Sequence, residues 1–212
     1  MCVILYKPLG VDLPSKETIR GCFEANPDGS GLAFSEGYTR PIRIEKGFMT
    51  FEELTSYLNL FDSPKKYRML LHFRLATHGS VRPKNTHPYP LSRNKEDLRA
   101  LSLETKAAVA HNGVISFVKP SDDETDTQRF IRTVLCDINF DIEEQRSLIA
   151  RATQSRFCIM FPHKTVLIGA FHEFEGCYFS NKSYMSYRSF ANEEKCWWFE
   201  YAGYSDYYEA FR

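Results

Sequence analysis

The sequence lacks the features that mark membrane-spanning and nucleic-acid-binding proteins. Its longest apolar stretches, such as residues 166–171, are far shorter than the roughly 18 to 20 residues that span a bilayer. The 27 basic and 27 acidic residues cancel, so the chain has no basic field of the kind on which non-specific nucleic-acid binding depends. We therefore expect neither a membrane nor a nucleic acid among its partners.

Signals for secretion are missing as well. The N-terminus has no basic lead followed by a long apolar segment and a small-residue cleavage site, so no signal peptide is predicted. The six cysteines are widely scattered and form no C-x-x-C pair, which favours reduced thiols in a reducing compartment. We predict a cytoplasmic protein.

The sequence also lacks motifs for bound metals and nucleotides. None of the six histidines and six cysteines falls into C-x-x-C, H-x-x-x-H or H-E-x-x-H spacing. Residues 26–31 are rich in glycine, but they lack the Lys-Ser/Thr of a P-loop and the third glycine of a dinucleotide fingerprint. The sequence predicts no metal and no cofactor.

What the chain does contain is the composition of a folded protein with a large β content. Hydrophobic residues make up 43% and aromatic residues 15%, and no repeat or long linker divides residues 1–212, which predicts a single domain. Strand-like runs lie at residues 2–6, 67–76, 106–111, 114–118, 156–161, 164–172 and 174–180, and helical patterns lie at 16–25, after the Thr50–Glu53 capping box, around 130–135 and at 142–152. Because the strands cluster as neighbours, we expect an α+β fold of antiparallel sheets with helices on their faces.

Four short polar segments interrupt these apolar patterns: Cys2, residues 74–79, residues 111–113 and residues 126–127. Taken singly, each has an ordinary structural interpretation: a buried strand cysteine, a solvated arginine, an Asn-Gly hairpin turn and a helix cap. Taken together, they supply a nucleophile, a fixed cation, a pair of hydrogen-bond donors and a carboxylate. That combination suits amide chemistry on a zwitterionic substrate.

The order of these motifs resembles that of a known family. After Met1-Cys2, the chain reads N-P-D-G-S-G at 26–31, H-F-R-L-A-T-H-G at 72–79, N-T-H-P at 85–88, A-H-N-G-V-I at 110–115 and T-D-T-Q at 125–128. This series resembles the class II glutamine amidotransferase domains of the N-terminal-nucleophile (Ntn) hydrolase superfamily. The resemblance covers residues 2 to about 130, while residues 140–212 match only as a strand-rich second half. It implies a four-layer αββα sandwich of two antiparallel sheets.

The resemblance implies three catalytic residues. Cys2 would be the nucleophile, and removal of Met1 would give it a free α-amine that titrates near pH 8 and can take the thiol proton. The side-chain amide of Asn112 and the backbone N–H of Gly113 would stabilise the oxyanion of the tetrahedral intermediate.

It also implies the residues that bind substrate. Arg74 would bind the α-carboxylate of glutamine through its planar guanidinium, and Asp126 would hold the α-ammonium group. Thr77 and His78 would add backbone or hydroxyl contacts. His72 and His87 also lie in the motifs, and we expect them to be hydrogen-bonded structural residues.

The implied activity is release of ammonia from L-glutamine through a γ-glutamyl thioester on Cys2. No synthase domain is expected within 212 residues, so the implied partner is a separate ammonia-accepting synthase or ligase, or the protein is a free-standing hydrolase. Two alternatives remain: an Ntn-type cysteine amidase for another small amide, and a catalytically silent scaffold of the same fold. The aromatic residues 195–211 are compatible with either a closing strand or a docking surface.

Overall fold

The structure is a computed structural model that describes residues 2–76, 80–119, 121 and 124–185. Its strands are β1 (Val3–Lys7), β2 (Ser30–Glu36), β3 (Ile42–Phe48), β4 (Tyr67–Phe73), β5 (Tyr89–Pro90), β6 (Ser102–Thr105), β7 (Ala108–Asn112), β8 (Arg156–Met160), β9 (Thr165–Ile168), β10 (His172–Phe174) and β11 (Cys177–Phe179). Its helices are α1 (Lys16–Ala25), α2 (Phe51–Leu58), α3 (Lys95–Arg99), α4 (Asp126–Thr133) and α5 (Glu143–Thr153). The aromatic residues 195–211 and their two interpretations lie outside the described residues.

The strands form two antiparallel sheets in the described part of the chain. The larger sheet has seven strands in the order β10-β11-β1-β4-β2-β3-β6, and the smaller has four in the order β5-β7-β8-β9. Every pairing between these strands is antiparallel. The predicted mixed α+β fold with antiparallel sheets is confirmed.

Buried side chains form three clusters. The first joins α1 and α2 to the seven-stranded sheet, and its members include Ile19, Phe23, Leu54, Val3, Leu5 and Leu71. The second contains residues of both sheets, among them Ile4, Leu70, Ala110 and Met160. The third joins the four-stranded sheet to α4 and α5 through residues such as Val109, Ile159, Phe130, Ile131 and Ile149. Because β1 contributes alternate residues to the first two clusters, it is buried on both faces, which explains its continuous apolar sequence.

Two predicted helices have clear local causes, and a third agrees with its predicted range. Helix α1 begins after Ser15, whose hydroxyl accepts from the Thr18 amide, and it spans the predicted residues 16–25. Helix α2 has the complete capping box predicted for Thr50 and Glu53. Helix α5, at 143–153, agrees with the predicted 142–152. The helix expected around 130–135 is displaced: α4 ends at Thr133, and a 3₁₀ turn follows at Leu135–Asp137.

The prediction of a strand at residues 114–118 is wrong. Strand β7 ends at Asn112, and its neighbours in the sheet are β5 and β8. Beyond Gly113 the chain leaves the sheet, because the Ile115 amide donates to the Asp126 carboxylate at 3.1 Å and the Val118 amide donates to the Ile115 carbonyl at 3.0 Å. The interpretation of Asn112-Gly113 as a hairpin turn is therefore also wrong.

Two other strand predictions need correction. The run at 164–172 splits into β9, which ends at Ile168, and β10, which begins at His172. The run at 174–180 contains the turn between β10 and β11, where Glu175 and Gly176 both have positive φ. The predicted runs do not include β2, β3, β5 or β6. Strand β2 begins inside the glycine-rich segment 26–31, whose composition is typical of a turn. Among the described residues, no helix has the length and apolarity needed to cross a membrane.

Candidate active site

The pairing of β1 with β4 places Cys2 beside Arg74. Val3 lies opposite Phe73, so the residues just beyond the two strand ends are neighbours. The Cys2 sulfur accepts a hydrogen bond from the Leu75 amide at 3.3 Å and donates to the Leu75 carbonyl at 3.4 Å. Burial raises the pKa of the Cys2 thiol, while the Leu75 hydrogen bond and the Arg74 charge oppose that increase. A group that takes the thiol proton is therefore required before Cys2 can act as a nucleophile.

The glycine-rich segment holds the chain around Arg74 from the opposite side. The Asp28 amide donates to the Arg74 carbonyl and the Arg74 amide donates to the Gly29 carbonyl, both at 2.9 Å. The Asp28 carboxylate accepts from the Ala76 amide at 2.7 Å. This segment, which lacks a phosphate-binding pattern, is a structural support for the loop that carries Arg74.

Asn112 and Gly113 lie at the end of β7 in a tightly packed position. Asn112 is buried, its Nδ2 donates to the Ser180 hydroxyl at 2.9 Å, and its Oδ1 has no hydrogen-bond partner among the described residues. Gly113 has φ of +150°, and a Cβ there would lie 2.1 Å from Ser155 Oγ. Only glycine fits at this position without displacing Ser155.

Asp126 is held at the first turn of α4. Thr125 and Gln128 form a complete capping box, which fixes where the helix begins. One Asp126 oxygen accepts from the Thr127 amide at 2.8 Å, and the other accepts from the Ile115 amide at 3.1 Å. The carboxylate thus ties the chain after Gly113 to the helix.

The phenol of Tyr89, the first residue of β5, is fully buried. Burial raises the pKa of Tyr89, and the charges of Arg74, Asp126 and Cys2 all act on it. The phenol hydroxyl donates to the Asn85 carbonyl at 2.9 Å. The strand pairing places the predicted nucleophile beside the predicted cation, and the predicted carboxylate of Asp126 is bonded to Ile115, two residues after Gly113. Thr77 and His78 lie outside the described residues.

Three buried histidines lie beneath this region. The rings of His72 and His87 are 4.2 Å apart between centroids, and those of His87 and His111 are 6.5 Å apart. Burial lowers the pKa of His72 to about 3 and that of His111 to about 4, so both are neutral near pH 7. His72 Nε2 hydrogen-bonds the His111 carbonyl at 3.0 Å, as expected for a structural histidine. His87 departs from that expectation, since neither ring nitrogen has a partner in the described part of the chain.

Sequence reasoning missed two residues that contact the site. The Ser180 hydroxyl accepts from the Ile4 amide as well as from Asn112, and Asn181 Nδ2 donates to the Cys2 carbonyl at 2.7 Å. Both residues follow β11, more than 170 residues from Cys2. A Ser-Asn pair after a strand carries no signal beyond that of a turn.

Other features of the described residues do not point to a second centre. Within residues 2–76, 80–119, 121 and 124–185, no group of three or more His, Cys, Asp or Glu side chains is arranged to hold a metal ion. A surface cavity of about 380 Å³ is lined by residues such as Cys136, Asp141 and Lys164, and it includes none of the predicted site residues.

Comparison with models of known protein families finds no match to this chain, and comparison with curated proteins also finds none.

Proposed function

We propose that this protein is a class II glutamine amidotransferase that releases ammonia from L-glutamine through a thioester on Cys2. The observation that carries the proposal is the set of hydrogen bonds that connects the strand after Cys2 to Asn112. The Cys2 sulfur lies against Leu75, next to Arg74, and Asn112 is joined through the Ser180 hydroxyl to Ile4, two residues from Cys2. A nucleophile and a guanidinium are thereby held at the ends of two paired strands, and an amide donor is held at the end of a strand in the other sheet.

The order of the three buried clusters supports the fold that this function implies. Helices α1 and α2 pack on the seven-stranded sheet, a central cluster contains residues of both sheets, and α4 and α5 pack on the four-stranded sheet. This arrangement supports a four-layer αββα sandwich of the Ntn-hydrolase type.

In the proposed reaction, the α-amine of mature Cys2 accepts the thiol proton and the sulfur attacks the γ-amide carbon of glutamine. The resulting oxyanion accepts hydrogen bonds from Asn112 Nδ2 and the Gly113 amide. Ammonia leaves with the transferred proton, and the γ-glutamyl group remains on Cys2 as a thioester. Water then hydrolyses the thioester, which gives glutamate and restores the thiol.

Two charged side chains would select free glutamine. Arg74 is nearly fully buried on the loop after β4, where a guanidinium can bind the α-carboxylate with two parallel hydrogen bonds. Asp126 already accepts from two backbone amides, and its remaining lone pairs can accept from the α-ammonium group. We propose that the ammonia passes to a separate synthase or ligase.

The experiment that tests this function measures ammonia and glutamate release from L-glutamine by protein whose mature N-terminus has been verified by mass. We expect equimolar release, which Cys2→Ala abolishes while the circular-dichroism spectrum stays unchanged. Turnover of other small amides with no turnover of glutamine would favour the cysteine amidase. A correctly processed sample that is inactive on every small amide would favour the silent scaffold.

A further inference from the structure

The chain just beyond β11 is bonded to the strand that carries Cys2. The Ser180 amide donates to the Ile4 carbonyl at 3.0 Å, and the Ile4 amide donates to the Ser180 hydroxyl at 2.9 Å. The hydroxyl thus takes the place that a backbone carbonyl would occupy in a regular ladder. The Ser180 carbonyl therefore does not accept this hydrogen bond, and the regular ladder between β1 and β11 ends at Ser180.

The same hydroxyl reaches the other sheet. Its oxygen accepts from Asn112 Nδ2 at 2.9 Å, so both of its lone pairs are occupied, one by each sheet. Ser180 is 2% exposed and Asn112 is 1% exposed. Because an amide group is planar, fixing one N–H of Asn112 also fixes the direction of the second. In the proposed reaction, that second N–H would donate to the oxyanion.

Both polar atoms of the Asn181 side-chain amide form hydrogen bonds. Its Oδ1 accepts from the Ser183 amide at 2.9 Å, and its Nδ2 donates to the Cys2 carbonyl at 2.7 Å. These two contacts determine which end of the side chain faces Cys2. The backbone of Cys2 is thereby anchored on the side away from its sulfur contacts with Leu75.

We propose that Ser180 and Asn181 are positioning residues of the amidase site. Ser180 orients the Asn112 amide toward the oxyanion, and Asn181 holds the backbone of the nucleophile. This inference rests on the proposed function and extends it to the second half of the chain, which the sequence motifs do not cover.

Ser180→Ala tests the first role. We expect kcat for glutamine to fall roughly 10-fold to 100-fold, while KM stays within about threefold of the wild-type value. This loss of kcat is no larger than the loss caused by removing an oxyanion donor. Alkylation of Cys2 by iodoacetamide forms no oxyanion, so its rate should not change. Ser180→Thr keeps the hydroxyl and should restore most of kcat.

Ser35→Ala is the matched control. Ser35 is also 2% exposed, and its hydroxyl donates to the Arg40 carbonyl, at the end of β2 remote from Ser30 and the site. The control removes a comparable buried hydroxyl and should leave kcat unchanged. If Ser180→Ala does not fold, Ser180→Cys keeps the volume with a weaker acceptor and carries the same expectation.

A double variant distinguishes a role of Ser180 in positioning Asn112 from a general effect of Ser180→Ala on stability. If Ser180 acts through Asn112, the double variant Ser180→Ala/Asn112→Ala should be no slower than Asn112→Ala alone. Asn181→Leu removes the amide donor while keeping four side-chain heavy atoms branched at Cγ, and we expect kcat to fall about tenfold. Its effect should add to that of Asn112→Ala, because it acts through Cys2.

Three results would overturn the inference alone: wild-type kcat in Ser180→Ala, an equal loss in Ser35→Ala, or additive effects of Ser180→Ala and Asn112→Ala. These results count against the inference only if the wild type hydrolyses glutamine and Cys2→Ala does not. Absence of glutamine hydrolysis in the mature wild type would instead contradict the proposed function, and this inference with it.

Discussion

In the proposed reaction, selection of the substrate depends on Arg74. It is nearly fully buried, and one guanidinium nitrogen donates to the Ser80 carbonyl at 3.3 Å. Lysine keeps the charge but cannot form two parallel hydrogen bonds to a carboxylate. Arg74→Lys should therefore lower kcat/KM for L-glutamine by about 10-fold to 100-fold, since charge-assisted hydrogen bonds contribute roughly 1.5 to 3 kcal/mol each.

A pair of substrate analogues separates this effect from damage to the loop. Arg74→Lys should lose little on 4-aminobutanamide, which lacks the α-carboxylate, whereas Asp126→Asn should lose little on glutaramic acid, which lacks the α-amine. The ratio of kcat/KM for glutamine to that for each analogue is the measurement. Equal losses on all three substrates would show that the two side chains do not bind the charged groups.

The N-terminus of α4 is the element that places Asp126. Thr125→Ala removes the capping hydroxyl, which should cost about 1 kcal/mol of stability and let the first turn fray. Because Asp126 is the first residue of that turn, KM for glutamine should rise severalfold. Urea unfolding measures the change in stability, and steady-state kinetics on the same sample measure the change in KM.

Thr50→Ala provides the matched control for this element. Helix α2 has the same complete capping box, but it packs on the seven-stranded sheet on the side of α1. We expect the same loss of stability with KM unchanged. A rise of KM in both variants would show that the effect comes from lower stability and not from the position of Asp126.

Elements with local causes could be predicted from the sequence, and those with distant causes could not. Ser15 and the Thr50–Glu53 pair mark the starts of α1 and α2 by bonds within a few residues. Residues 114–118 have the apolar content of a strand, but a contact with Asp126, eleven residues from Ile115, turns them out of the sheet. The local pattern carries no information about that contact.

The same distinction applies to the site. Cys2, Arg74, Asn112 and Asp126 belong to compact motifs, so their residue types and spacing predict a shared site. Ser180 contacts Asn112 across 68 residues, and it belongs to no motif. A residue that acts only through a long-range hydrogen bond leaves no periodicity or spacing to detect.

At the scale of the whole molecule, the buried histidines link stability to pH. Their folded pKa values, about 3 for His72 and about 4 for His111, lie below the ordinary value near 6.5. The unfolded chain therefore binds more protons below pH 6.5, so stability is full above that pH and is lost as the pH falls toward 4. Lowering the pH from 7.5 to 5 should reduce the free energy of unfolding by roughly 2 kcal/mol for each of these two histidines.

Urea unfolding at pH 7.5, 6 and 5 measures this loss. A free energy of unfolding that stays constant from pH 7.5 to 5 would contradict the neutral, buried state of His72 and His111.

The proposed reaction passes through a thioester on Cys2. Acid quenching of the mature protein during turnover of L-glutamine, followed by mass spectrometry of the N-terminal peptide, tests it directly. We expect a γ-glutamyl group on Cys2 of the mature form and none on a form that retains Met1, in which Cys2 has no free α-amine to act as the base. Ammonia release with no adduct on Cys2, or full turnover by the form that retains Met1, would contradict it.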